Sequence, residues 1–516
     1  MQAFILGIVL AQAAPGALTL SASKLSLNPA QQQVITIGGA AAPVQATLDQ
    51  RLVSVSVSAD GTSVTVTATQ ATGEDVLHLV DASGARADLP IRVAFNAGTI
   101  VPQTSLTVTG NPAQPAWLAA RVQTAVARLT QTMPGAQKSI GPVAEPAAPL
   151  QPGESTQFTV PVQIAGNGEY FDQSGTTTVS VQNLAVGSFA PGVLFYDDDP
   201  EHVGQDGVLF RGTVSATTPT RLFFYHDAVA DPGNARKLVV TVSSDSQDPT
   251  SVQLVDAVAG PNMDVMYVGQ TLTKNFLATK SLGEGVVVTL SQDEPYVMSD
   301  LSMNARELVS GSVDLRVLSG GPVVVTVLAV SPGVDVRSLL AGPVLPGDGH
   351  HRTGVFTIAG FGADALSYSA GGPDATVVLG DTEPTPPSVD AAASGHDYGD
   401  YGVLHTIDLA MSNPGSAPST AYLYLKPLAG PARGSFLIGG NLFDVGCVRV
   451  PAPYEVTSFD LAAGATSRVV VQTMTDGGSF YPVQIGLTAT PPQPSAPPIG
   501  APDGCFPKPP SSSASR

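Results

Sequence analysis

The stretch Val53-Ser54-Val55-Ser56-Val57-Ser58-Ala59-Asp60-Gly61-Thr62-Ser63-Val64-Thr65-Val66-Thr67 decides the fold class. Valine alternates with serine or threonine on both sides of Asp60-Gly61. Strand side chains point to opposite faces in turn, so the pattern gathers the valines on one face. Asp-Gly supplies the positive-φ residues that a tight hairpin turn needs. The reading is a β-hairpin with one face to bury. A second pair of apolar runs, 76–80 and 89–93, flanks the turn Asp81-Ala82-Ser83-Gly84. With about seven short strands, residues 14–97 read as an immunoglobulin-like sandwich.

The rest of the chain fits that class. It has 516 residues, 13% charged and 43% hydrophobic. Such a composition excludes coiled coils and wholesale disorder. The 53 Gly and 44 Pro suit many turns. Lys and Arg total 23 against 42 Asp and Glu, a net charge of −19. Without a basic patch, that charge excludes nucleic acid as a partner. The longest apolar run after the N-terminus is the eight residues 323–330. It suits a buried strand and falls far short of the ~20 residues that span a bilayer, so no membrane-spanning segment is expected.

The run 3–11 is apolar and is followed by Ala11-Gln12-Ala13, a small-x-small site. It reads as a signal peptide over 1–13, with a buried first strand as the alternative. Cleavage near Ala13 would place the protein outside the cell, at its surface or in the periplasm. Exported chains meet oxidising conditions, so Cys447 and Cys505 are expected to form a disulfide that pins the Pro/Ser-rich tail, 491–516.

Between these ends, 98–186 reads as a small α+β module with a Pro-rich insert. It holds the single clear helix, about 115–132, with Leu118, Val122, Ala125, Leu129 and Met133 on one face. Residues 187–345 and 352–490 read as two related β-sandwiches, because 242–269 and 409–439 share a strand–turn–strand pattern with Ala259-Gly260-Pro261 matching Ala429-Gly430-Pro431. The fold class is therefore mainly β, with tandem Ig-like, Greek-key sandwiches and one α+β module.

The run TGEDVLHLVDASGARADLPIRV, 72–93, resembles the closing strands of bacterial immunoglobulin-like domains. It is also similar to the N-terminal domain of pilus-assembly secretins. VSVQNLAV, 179–186, is similar to the last strand of BON-type modules. The 187–490 half looks like secreted bacterial multi-domain β-sandwich proteins. These resemblances imply an envelope or appendage setting and bring no activity with them.

The chain carries no nucleophile elbow, phosphate loop, H-E-x-x-H or C-x-x-C, and no catalytic residue is assigned. Four polar clusters stand out. Asp197, Asp198, Asp199 and Glu201, with Asp206 beyond, form a candidate Ca²⁺ loop, because Ca²⁺ takes six to eight oxygens; the alternative is a solvated acidic turn. His226 ends the aromatic run 221–225 and is a candidate ligand-site residue; the alternative is a locally hydrogen-bonded histidine. His350-His351 offers two imidazoles without an identifiable third metal ligand. Tyr398 and Tyr401, set among His396, Asp397, Asp400 and His405, could stack on sugar rings; the alternative is a turn entering a strand. The expected function is an exported, non-catalytic structural or surface protein acting in envelope architecture, adhesion or appendage assembly. Its partners would be cell-envelope components, other secreted proteins or polysaccharide. A carbohydrate-binding assembly, with or without calcium, is the alternative, and a secreted hydrolase the third reading.

Overall fold

The computed structural model describes residues 18–231, 233–292, 294–384, 395–495 and 505. The expected signal peptide and most of the tail lie outside them. The chain is mainly β and divides into two compact units, the first made of 18–105, 116–146 and 157–180 and the second of the remaining described residues.

In the first unit, residues 18–93 form two four-stranded sheets. The hairpin is there, with Val57 opposite Val64 and Gly61 at φ +70° in its turn. Val64 and Val66 face the core together with Leu27, Leu77, Leu79 and Leu89, all fully buried. Helix α1, Pro115–Leu129, follows with three neighbouring strands, Gln137–Ile140, Ser155–Ala165 and Gln173–Asn183. Its buried face is Leu118, Ala119, Val122 and Val126. Leu129, expected inside, is the last residue of the helix and is exposed.

The second unit holds two sandwiches. In the first, the strands Gly285–Leu290, Thr250–Asn262, Leu308–Ser319, Thr220–Ala228, Val193–Asp197 and Thr353–Thr357 lie side by side in that order. The facing sheet is Gly207–Val214, Val323–Val330, Arg236–Ser243 and Tyr296–Met303. Thr353–Thr357 pairs with Val193–Asp197, so it belongs to this sandwich and not, as the sequence suggested, to the next. The last sandwich has five strands, beginning with Ala363–Ser369, against four, over a core that includes Ile407, Leu423, Phe436 and Ile485. Cys447 on one of its strands is disulfide-bonded to Cys505.

The internal repeat breaks after its first half. Where the second copy continues as the strand Ala432–Ile438, the first enters a second helix, α2, Val265–Leu282. Asp264 caps it by accepting from the Tyr267 N–H, and Gly283 ends it at φ +63°. The expectation of a single helix is corrected accordingly. The cause lies in its surroundings. α2 packs on the large sheet on one side and on the last sandwich on the other. It is therefore apolar around much of its girth, and its charges come late. Gly269 abuts the Gly477 backbone; a Cβ there would lie 2.0 Å from the Gly477 carbonyl oxygen.

Alternation across the strand Thr220–Ala228 sends Arg221, Phe223 and Tyr225 toward α2, and Leu222, Phe224 and His226 toward the facing sheet. Arg221, almost wholly buried, donates to both oxygens of its cross-strand partner Asp314 at 2.6 and 3.1 Å. It also donates to the Gly402 carbonyl at 3.0 Å. Lys280 of α2 reaches the same carboxylate at 2.6 Å. Arg221→Met should destabilise the second unit by about 2–4 kcal/mol, because it leaves the buried Asp314 with Lys280 as its one cation and the Gly402 carbonyl without its donor. Urea denaturation measures this, and a loss below about 1 kcal/mol would contradict it.

Candidate functional site

Three of the four polar clusters meet at the junction of the two sandwiches of the second unit. They line a cavity of about 460 Å³. Its aromatic lining comes from Tyr196, Phe223, Tyr225, Tyr401, Phe480 and Tyr481, and its polar lining includes Asp198, Glu201, His351 and Arg352. The strand Val193–Asp197 is parallel to Thr220–Ala228, with Tyr196 in register with Phe223, and these rings stack at 5.6 Å. Tyr401 donates its hydroxyl to the Ser479 carbonyl at 2.7 Å, which ties the 396–405 turn to the 476–482 loop. Gly478, at φ +76°, lets that loop turn under the Tyr225 hydroxyl.

The five carboxylates of the expected Ca²⁺ loop do not converge. Alternation sends Asp197 into the sandwich core, where it pairs with His226 at 3.1 Å; both are fully buried. His226 Nδ1 faces the Pro200 carbonyl at 2.9 Å. Burial opposes its charge, but Asp197 and that carbonyl outweigh it and raise its pKa. His226 is therefore a core histidine paired with Asp197 and does not line the cavity; its neighbour Tyr225 does. Asp199 accepts from the Asp348 N–H at 2.6 Å. Asp206 is bound by Ser331 at 2.8 Å and Arg236 at 3.4 Å. Only Asp198 and Glu201 of the five reach the cavity. Tyr398 is half exposed at the surface, with the Arg352 guanidinium 4.7 Å from its ring, and Tyr401 lines the cavity itself.

The two acids differ. Burial, then the neighbouring Glu201, hold the Asp198 pKa well above the carboxylate range, against the pull of the Tyr196 hydroxyl at 3.3 Å. Burial also raises Glu201, and His351 at 2.7 Å pulls it back. The cavity thus offers a carboxyl whose charge burial disfavours, a carboxylate–imidazole pair, a guanidinium and several ring faces. Ser479 Oγ accepts the Arg433 N–H at 3.1 Å and has no histidine partner. Behind this loop, His405 and Asp400 pair at 3.2 Å out of solvent, and Asp397 is fully buried.

Sequence reasoning missed Tyr225, Arg352, Phe480 and Tyr481. For the last two a signal existed. Asp476-Gly-Gly-Ser-Phe-Tyr-Pro482 places two aromatics directly after a glycine turn, and such rings are held at a surface only for a reason of packing or binding.

Asp476 gives a pH test of this loop. It is fully buried, and burial pushes its pKa up to about 7 from 3.8, against the pull of the Thr273 hydroxyl. Between these values the folded state holds a proton that the unfolded state has lost. Stability therefore falls as pH rises from about 4 to about 7, by roughly 3–4 kcal/mol, and is flat above. Asp476→Asn should remove that fall. Its stability advantage over the parent should be greater at pH 8 than at pH 5 in urea melts, and an equal difference at both would contradict the assignment.

No protein-family model and no curated protein matches the chain. Solved structures with similar parts include Drosophila N-cadherin EC1-4 (14% identity, 33% of this chain and 50% of that one, TM-score 0.14). Others are the fibronectin(III)-like modules of Clostridium thermocellum CbhA (10%, 34% and 98%, 0.16) and the Bacteroides ovatus mixed-linkage glucan utilization locus SGBP-B in complex with a heptasaccharide (11%, 57% and 74%, 0.15). The chain spans half the length of the N-cadherin fragment. Scores this low carry no inference about what the chain does.

Proposed function

We propose that this is an exported, non-catalytic surface protein whose last two sandwiches hold a pocket for a short carbohydrate. One observation supports it above the rest: loops distant in sequence, 196–201, 351–352, 401 and 478–481, bring ring faces and hydrogen-bonding groups to one cavity. Its volume lies within the range usual for small-ligand sites. Aromatic faces stack on the C–H faces of sugar rings, and the acids, His351 and Arg352 can meet ring hydroxyls. The sandwich of the first unit acts as a spacer in this reading. The partners are polysaccharide or other envelope components.

Asp198 favours a second reading. A carboxyl whose charge burial disfavours, set beside the second carboxyl of Glu201, is the pairing a glycoside hydrolase uses. One experiment separates the two. The purified chain is titrated with solubilised polysaccharides, and the mixture is assayed for new reducing ends. Saturable binding without cleavage, weakened about tenfold by Phe480→Ala (about 1.4 kcal/mol), is the expected result. Phe480 is 50% exposed, so that variant should fold. Cleavage lost in Asp198→Asn and Glu201→Gln would establish the hydrolase. Binding untouched by Phe480→Ala and Asp198→Asn would remove the pocket from either role.

A further inference from the structure

Beside the cavity, and independent of the carbohydrate reading, lies a second set of donors. Glu201, His202 and Asp227 each bring one ligand atom to within 4.8 Å of the others. Backbone pairing fixes this juxtaposition. His202 and Asp227 are register partners in parallel strands, and the Asp227 N–H donates to the Glu201 carbonyl at 2.9 Å. A second imidazole arrives from about 150 residues away in sequence. His351 Nε2 lies 2.7 Å from Glu201, and its ring meets that of His202 edge-on at 5.8 Å. Asp348 orients it by accepting from His351 Nδ1 at 2.6 Å, while its other oxygen takes the His350 and His351 N–H groups.

We infer that Glu201, His202 and Asp227, with His351 as fourth ligand, form a binding site for one divalent transition-metal ion of the zinc type. The donor set selects the metal. Ca²⁺ takes six to eight oxygens, whereas two imidazoles with two carboxylates suit zinc and its first-row neighbours. Zinc bonds of about 2.0–2.2 Å put tetrahedral donors about 3.3–3.5 Å apart. Glu201, His202 and Asp227 already share one 4.8 Å neighbourhood, and His351, which touches Glu201 at 2.7 Å, must move in to complete the set. A carboxylate on the far nitrogen of a ligating histidine, as Asp348 is on His351, is the usual outer partner that fixes ring and tautomer. Glu201 and His351 also line the cavity, so the ion would sit at its wall. The His350-His351 pair gains in this way the ligands that its own loop lacks.

The test uses the full, tag-free chain, stripped with chelator and titrated with Zn²⁺ by calorimetry. Co²⁺ serves as a spectroscopic probe. One Zn²⁺ per chain and a visible Co²⁺ band are expected. His202→Gln and His351→Gln should each weaken Zn²⁺ binding at least tenfold, and His350→Gln should leave it unchanged. The His202 side chain is 58% exposed, so that variant should fold, and metal-free melting curves check it. Absence of stoichiometric Zn²⁺ binding, binding of Ca²⁺ alone, or binding that survives both His202→Gln and His351→Gln would overturn the assignment.

Discussion

The second unit depends on a buried charge cluster, Arg221–Asp314–Lys280. Burial works against the Asp314 charge, but Arg221 and then Lys280 hold its pKa below the usual range. The same burial lowers Lys280, with Asp314 opposing. Such a cluster is weak evidence for net stability, because desolvation consumes most of the attraction. Its value lies in position. Arg221 and Asp314 are opposite each other on adjacent strands, Lys280 comes from α2, and the Gly402 carbonyl comes from the turn that leads into the last sandwich. One guanidinium, lying 4.8 Å from the Phe276 ring, sets sheet, helix and turn in a single arrangement.

The cavity follows from that arrangement. Gly402 is the next residue after Tyr401, so fixing its carbonyl places a cavity ring. α2, held from one side by Lys280, is held from the other by the last sandwich. Arg433 Nη1 donates to Gln270 Oε1 at 2.9 Å, and Gln270 Nε2 donates to the Val445 carbonyl at 2.9 Å. The close approach of Gly269 to Gly477 then lays the 476–482 loop along the helix. The two sandwiches are joined through a helix that serves both.

How far the sequence could be read depended on exposure. The hairpin at 53–67 was legible because its sheet has one wet face, and one wet face writes alternation into the sequence. The strand Thr220–Ala228 is buried on both faces, with eight of its nine residues out of solvent. Alternation is then invisible, and His226, chosen for its chemistry, proved to face the core, one residue away from Tyr225 at the cavity. Asp197 missed in the same way beside Tyr196 and Asp198. The stretch that forms α2 fell inside a span read as β, where Val265, Tyr267 and Val268 favour strand locally. Its true signals were the Asp264 cap and Gly283, and they were present. No local pattern could show that residues near 201, 351, 401 and 480 share one site, since only the tertiary fold joins them.

Charge at the cavity runs against the charge of the chain. The whole carries −19, yet burial disfavours the Asp198 charge and Glu201 is paired with His351. Arg352 adds a cation. A ligand entering the cavity therefore meets dipoles, one ion pair and ring faces, with little net anionic field. A polycation drawn to the acidic surface gains no extra attraction inside. A neutral polyhydroxylated ligand, which pays little to leave water beyond the hydrogen bonds it can remake, loses nothing to repulsion there. Long-range charge and cavity chemistry thus differ, which is compatible with the neutral ligand proposed for the cavity.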